Sequence, residues 1–200
     1  MLKVLGIAGS PRRGGNSEIL LDRALVGARD AGGDTEKLVL NRLKLRACQH
    51  CGGCTSTGVC VVQDDMQDVL VRLREADVII LASPIYFMSI SAQTKIMIDR
   101  CQALWVEKYV LKKPRPKRRG QRRGLFISVA GLEREDVFAG AIPVVKAFFA
   151  TVDVTYTGNL LYRGIDKKGE IRQRSDALQE AYEAGQRLVH ETKEAQRQLS

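Results

Sequence analysis

The sequence predicts an α/β domain with a parallel sheet covered by helices on both faces. Three observations carry that expectation. Short runs of apolar and β-branched residues recur along the chain. Segments with apolar residues at helical spacing separate them. The clearest run, Asp77–Ala82 (DVIILA), is apolar without alternation, the pattern of a strand buried on both faces. Two hundred residues suit one domain over 1–200, and a hydrophobic content of 44% suffices for an ordinary core.

Leu2–Ala8 reads as the first strand, ended by Gly9. Leu21, Ala24, Leu25 and Ala28 mark a helix that Gly32–Gly33 stop. Glu36–Leu40 is a second short strand, followed by a Cys- and Gly-rich loop to about residue 62. Met66, Val69, Leu70 and Leu73 outline a helix capped by Asp64 or Asp65. The third strand is Asp77–Ala82; Ser83–Ser89 is then a loop and Ala92–Trp105 a helix. Gly124–Ala130 is the fourth strand, with a helix near Val137–Ala150. Val152–Tyr162 is the fifth, and Leu178, Ala181, Tyr182, Gly185, Leu188 and Val189 trace a long last helix.

The net charge of +9 is local. Residues 112–123 (KKPRPKRRGQRR) hold eight Lys/Arg and no acid, and subtracting eight from +9 leaves +1 elsewhere. With its prolines, the stretch 107–123 reads as a basic surface loop. Eight cations suit a nucleic acid or an acidic partner. No aromatics interleave with them, which favours a solvated loop. No apolar run approaches the roughly 20 residues of a membrane helix, and residues 4–8 are too short for a secretory core. A cytoplasmic protein with reduced thiols is expected.

Ligands of open parallel sheets sit at the carboxyl ends of the strands. Three loops leave such ends with distinctive chemistry: Gly9–Ser17, Ser83–Ser89 and Ser128–Gly131. The first, GSPRRGGNS, offers hydroxyls at Ser10 and Ser17, an amide at Asn16 and a guanidinium at Arg12, and runs into a helix N-terminus. It reads as a phosphate site, against an ordinary turn of the same composition. Gly15 and Asn16 stand where a triphosphatase loop needs Lys and Ser/Thr, and no G-x-G-x-x-G occurs, so a monophosphate fits best. The second, SPIYFMS, sets two aromatics and a Met at a strand's open end. They suit a flat ring, or packing on the next helix or on a partner subunit.

Four of the five cysteines, Cys48, Cys51, Cys54 and Cys60, follow the spacing C-x2-C-x2-C-x5-C. Thiolates at three-residue steps let a curling backbone turn toward one cubane, and Gly52, Gly53 and Gly58 allow the curl. A 4Fe–4S cluster, zinc, metal-free thiols and a disulfide all remain open on spacing alone. His50 is a further candidate ligand or a solvated side chain; Cys101 reads as a buried thiol in a helix. No Ser-His-Asp arrangement is evident, and His190 lies on the last helix without evident partners.

GSPRRGGNSE after the first strand and SPIYF after the third resemble the NADPH-dependent FMN reductase group of flavodoxin-like proteins. CQHCGGCTSTGVCVVQDDM resembles the iron–sulfur flavoproteins within it, and Lys95–Arg100 (KIMIDR) is similar to the family's segment after the third strand. The likeness covers residues 1–100 well and the rest in outline. It implies a flavodoxin-like three-layer sandwich, five parallel strands in order 2-1-3-4-5, with FMN as cofactor. It also implies homodimers or homotetramers with flavins near subunit interfaces. By position, Ser10, Arg12, Asn16 and Ser17 would hold the phosphate, and Pro84, Ile85, Tyr86 and Phe87 would line the isoalloxazine. Backbone groups around Ala130 and Gly131 would complete the pocket, and Cys48, Cys51, Cys54 and Cys60 would hold the cluster. The basic loop departs from the family pattern. The expected function is electron transfer between NAD(P)H or a ferredoxin-like carrier, FMN and a 4Fe–4S cluster, with the flavin carrying the chemistry. The alternatives are a cluster-free NAD(P)H-dependent reductase of flavins, quinones, nitro or azo compounds, and a binding module for nucleic acid or an acidic partner.

Overall fold

The structure is a computed structural model and describes residues 1–113 and 122–198. Strand β1 (Leu2–Ala8) pairs in parallel with β2 (Gly33–Val39) on one side and β3 (Val78–Tyr86) on the other. Beyond β3 lie β5 (Arg123–Val129) and β6 (Thr155–Tyr162), also parallel. The parallel strands thus stand in the order β2-β1-β3-β5-β6. The chain runs outward to β2, then returns past β1 to β3, so the winding reverses between β1 and β3 and a crevice opens at their carboxyl ends.

The expected order 2-1-3-4-5 holds for these five strands, and the difference in count comes from one short extra strand. Residues 83–89 are not wholly a loop. β3 continues through Tyr86, and β4 (Ser89–Ile90) turns back to pair antiparallel with Ile85 and Tyr86. The two-residue turn is Phe87–Met88, with φ of 48° and 64°, the left-handed backbone that a tight hairpin requires at both central positions.

Side chains alternate across the sheet, which explains the unbroken apolar runs. Val4, Ile80 and Ile127 face α1 (Asn16–Asp30) and α6 (Ser175–Arg197). Leu5, Ile79 and Phe126 face α2 (Met66–Glu75), α3 (Ala92–Arg100) and α5 (Ala141–Thr151). On the first face α1 and α6 approach until backbones touch. A Cβ on Gly185 would lie 1.9 Å from the Ala24 carbonyl oxygen, and one on Gly27 would lie 2.0 Å from that of Tyr182. Two glycines inside helices are therefore the price of that contact.

Several boundaries differ from expectation for identifiable reasons. The helix expected over Ala92–Trp105 breaks at Cys101 into α3 and α4 (Gln102–Trp105), then widens into a π-turn over Val106–Val110. Asp64, not Asp65, serves the start of α2: its Oδ1 accepts the Met66 N–H at 3.1 Å, while Asp65 accepts the Lys44 N–H at 2.7 Å. The basic loop is shorter than 107–123. Its first residues belong to the π-turn, and Arg123 opens β5. Arg122 is buried and donates to the carbonyls of Ala76, Val152 and Leu73 at 2.7, 2.6 and 2.5 Å. The remainder, 114–121, lies outside the described residues.

Candidate functional site

The loop after β1 is bolted to the start of α3. The Gly9 N–H donates to the Ala82 carbonyl at 2.7 Å, and the Gly9 carbonyl accepts from Ser91 Oγ at 2.5 Å. Ser91 also caps α3, accepting the Thr94 N–H at 3.3 Å. A Cβ on Gly9 would fall 1.9 Å from Thr94 Oγ1, so only glycine fits. Ser10 Oγ closes a small turn with the backbone N–H and carbonyl of Arg12, both at 3.1 Å. The chain then reaches Gly15, the N-cap of α1, which has no side chain to cap the helix. The first helical N–H groups are thus left to face the crevice, where they favour an anion.

Glu18, the one acid in this first turn, is turned away from the crevice. Its Oε2 accepts the Gly14 N–H at 2.7 Å and its Oε1 pairs with Lys37 at 3.1 Å. Burial works against the Lys37 charge, but Asp22 and Glu18 outweigh it and hold its pKa above the usual value. Asn16 clamps the connection between β6 and α6. Its Nδ2 donates to the Lys167 carbonyl at 2.9 Å, and its Oδ1 accepts the Ile171 N–H at 3.3 Å. Arg12 Nη1 donates to the Asp166 carbonyl of the same connection at 3.2 Å.

These parts enclose a cavity of about 410 Å³, within the range of small-molecule sites. Ser10, Arg12, Gly15, Asn16 and Ser17 line one part of it. Pro84, Ile85 and Tyr86 contribute from the end of β3, Val129, Gly131 and Leu132 from the end of β5, and Ile165 and Asp166 from beyond β6. Eight of the ten residues proposed for the flavin from sequence line this space. Phe87 does not: it is fully exposed at the hairpin tip. Nor does Ala130, which is buried against Val137 and Phe138, with its N–H on Tyr162 and its carbonyl on Ile165.

The cysteine loop lies between β2 and α2. Cys48 and Cys51 are exposed and Cys54 and Cys60 are half-buried. All four line a small cavity of about 60 Å³, together with His50, Val61, Val62 and Arg100. The loop curls through left-handed backbone at His50, Gly52 and Gly58. Burial pushes the Cys54 thiol up, and the neighbouring Cys60, Cys48 and Cys51 add to this. Among the described residues, no three His, Cys, Asp or Glu side chains converge on one point as ligands of a single ion do. A cubane makes a different demand, because each thiolate meets its own iron corner. Cys101 does not line this cavity; it is buried in the core that Cys60 packs against, and burial pushes its thiol up to about 12.

Both ends of this loop are tied by one buried ion pair. Arg100 donates to Asp64 at 2.7 and 3.0 Å, and to the carbonyls of Arg46 and Val62 at 2.8 and 3.3 Å. Asp64 in turn accepts the Arg46 N–H at 2.8 Å. Burial alone would raise the Asp64 carboxyl, but hydrogen bonds from Arg100, Arg46 and Met66 hold it below the usual carboxylate value.

The NADPH-dependent FMN reductase family matches residues 2–136. The chain belongs to this family. Membership places it among FMN-dependent oxidoreductases. Its curated relatives include an iron–sulfur flavoprotein of Archaeoglobus fulgidus, 34% identical over 78% of this chain and 67% of that protein. Another, from Methanocaldococcus jannaschii, is 42% identical over 52% of this chain and 53% of that protein. The chain thus matches about half to two thirds of the length of these iron–sulfur flavoprotein relatives. Among solved structures, an NAD(P)H:quinone oxidoreductase from Methanothermobacter marburgensis superposes with a TM-score of 0.68, at 20% identity, covering 94% of this chain and 96% of that one. At that identity the likeness shows the flavodoxin-like fold.

For this FMN reductase family member, sequence reading missed the wall beyond β6. Ile165 and Asp166 belong to GIDKKG, a turn-rich stretch directly after a strand's carboxyl end. The rule that drew attention to the other three loops applied there too. Val129 lies inside the stretch Ser128–Gly131 that was singled out, and Leu132 follows it directly.

Proposed function

We propose that the larger cavity binds FMN and that the protein is an electron-transferring oxidoreductase of the iron–sulfur flavoprotein type. The observation that carries this is the pairing, in one cavity, of an uncapped helix N-terminus with an apolar wall. Ser10, Arg12, Ser17 and the first N–H groups of α1 would hold the phosphate. Asn16 serves chiefly to fix the wall beyond β6, since both ends of its amide are already engaged. Pro84, Ile85 and Tyr86 would lie along the ring, with Gly131 and Leu132 opposite. Phe87 and Ala130 would act indirectly, at the rim and behind the wall. FMN supplies hydride and single-electron chemistry when bound, so the protein contributes binding, orientation and electrostatics.

Cys48, Cys51, Cys54 and Cys60 would hold a 4Fe–4S cluster. The donor set is four thiols around a common cavity, which suits cluster ligation. The buried Nε of Arg100 at that cavity has no hydrogen-bond partner, as expected beside an acceptor that the bound group would bring. NAD(P)H or a ferredoxin-like carrier would supply electrons, and a small molecule or protein would accept them. The exposed apolar groups Phe87, Trp105, Tyr109, Val110 and Leu132 support a homodimer or homotetramer. Among the described residues no helix is long and apolar enough to cross a membrane, in keeping with the cytoplasmic placement we propose.

A second reading, a cluster-free NAD(P)H-dependent reductase, is favoured by one fact: among the described residues no cysteine lines the cavity proposed for the flavin. Anaerobically purified protein decides between them. Flavin absorbance with bound iron and sulfide supports the first reading, and flavin without iron supports the second. Colourless protein that takes up no added FMN defeats both. The nucleic-acid reading loses two of its eight charges, because Arg122 is buried and Arg123 lies in the sheet.

A further inference from the structure

Arg100 is among the most deeply buried side chains of the protein, with 1% of its side chain exposed. A buried guanidinium is costly unless its donors are used. Four hydrogen bonds occupy its two terminal nitrogens. Its Nε–H is buried with no partner. Among the described residues Arg100 lines the same small cavity as all four clustered cysteines. The arrangement leaves one unused buried donor and one fixed positive charge on a residue that lines the cavity shared by the four cysteines.

We propose that Arg100 is a positioning residue for the cysteine loop, its Nε–H reserved for a sulfur of the cluster that loop would hold and its charge favouring the reduced state of that cluster. The proposal rests on the cluster reading given above. A 4Fe–4S cluster takes one electron from reduced FMN or an external donor; no bond forms or breaks, and the site gains one negative charge. A neighbouring cation stabilises that added charge, so the midpoint potential rises. Asp64 cancels part of the effect while its own hydrogen bonds lock the guanidinium in place. Hydrogen bonds to ligating sulfurs are a recognised lever on such potentials.

The test uses the full-length anaerobic protein and two variants. Arg100→Gln removes the charge, but it leaves Asp64 buried without its partner and puts folding at risk. Arg100→Lys keeps the charge and the Asp64 contact while removing the Nε–H. FMN content reports folding, because the flavin cavity shares no residue with this one. A redox titration followed by the cluster's optical and paramagnetic signals gives the potential, and a chelator gives the rate of iron loss. For Arg100→Gln the one-electron reduction constant should fall about tenfold, which is about 59 mV. Arg100→Lys should shift the same way by less, and both should lose iron faster. If Arg100→Gln does not retain FMN, Arg100→Lys decides alone. Arg100→Lys with the potential and iron loss of the unaltered protein overturns the proposal and leaves the cluster reading standing. Unaltered protein that holds flavin but no iron or sulfide ends the cluster reading itself, and this proposal with it.

Discussion

Gly185→Ala should destabilise the protein, although the same change in an ordinary helix interior stabilises it. Alanine is favoured over glycine in helices by about 1 kcal/mol, and Gly185 sits within the long α6. The added methyl, however, would lie 1.9 Å from the Ala24 carbonyl oxygen, where 3.4 Å is the ordinary lower limit. Neither helix can relieve this by rotating a side chain, because the obstacle is backbone. The helices must separate by about 1.5 Å or bend. Overpacking of this kind costs up to about 3 kcal/mol, leaving a net loss of about 2 kcal/mol after the propensity gain. For a chain of this size that is about 4–8 °C in melting temperature. Urea unfolding of flavin-free protein should show the midpoint fall with an unchanged slope. Because α1 carries the N-terminus proposed to hold the FMN phosphate, FMN affinity should fall with it. A variant as stable as the parent, or more so, would refute the close approach of α1 and α6.

Arg12→Ala should weaken FMN binding by about tenfold, the low end for a charged hydrogen bond at an exposed position, with far-ultraviolet dichroism unchanged. Cys51→Ser should abolish iron and sulfide content while leaving flavin absorbance; loss of both together would mean that the loop is structural. Asp64→Asn should cost about 3–5 kcal/mol by stranding Arg100, read as a lower urea midpoint at pH 7. Asp64 has a depressed folded pKa, so its contribution is present above the unfolded value of 3.8 and is lost as pH falls through the folded one. The acid side of the stability profile should therefore flatten in that variant.

The sheet was legible because a strand buried on both faces has little freedom in composition. Val78–Ala82 could hardly be anything else. The β4 hairpin escaped notice because Phe87 and Met88 adopt left-handed backbone without the Gly or Asn that normally announces it. Arg122 was misplaced for a similar reason. It sits among exposed-looking cations, yet three backbone carbonyls left bare by the ends of α2 and α5 draw it inward. Long-range partners of this kind have no local signature. The loop proposed for the phosphate stood out because small residues, hydroxyls and a helix start coincide in nine positions. The engagement of Asn16 with Lys167 and Ile171 did not, since those residues lie 151 and 155 positions away.

Helix α3 has a consequence for how the two cavities can work together. Its first residue is preceded by Ser91, fastened to the loop of the flavin cavity, and its last is Arg100, fastened to the cysteine loop. Nine residues at about 1.5 Å each make a strut of about 13 Å. Electron tunnelling weakens steeply with distance, so in the electron transfer proposed above a rigid strut would set the rate of exchange between its ends and shield it from breathing elsewhere. One residue inserted into α3 would keep every residue proposed as a ligand, yet lengthen the gap and turn one end by about 100° against the other.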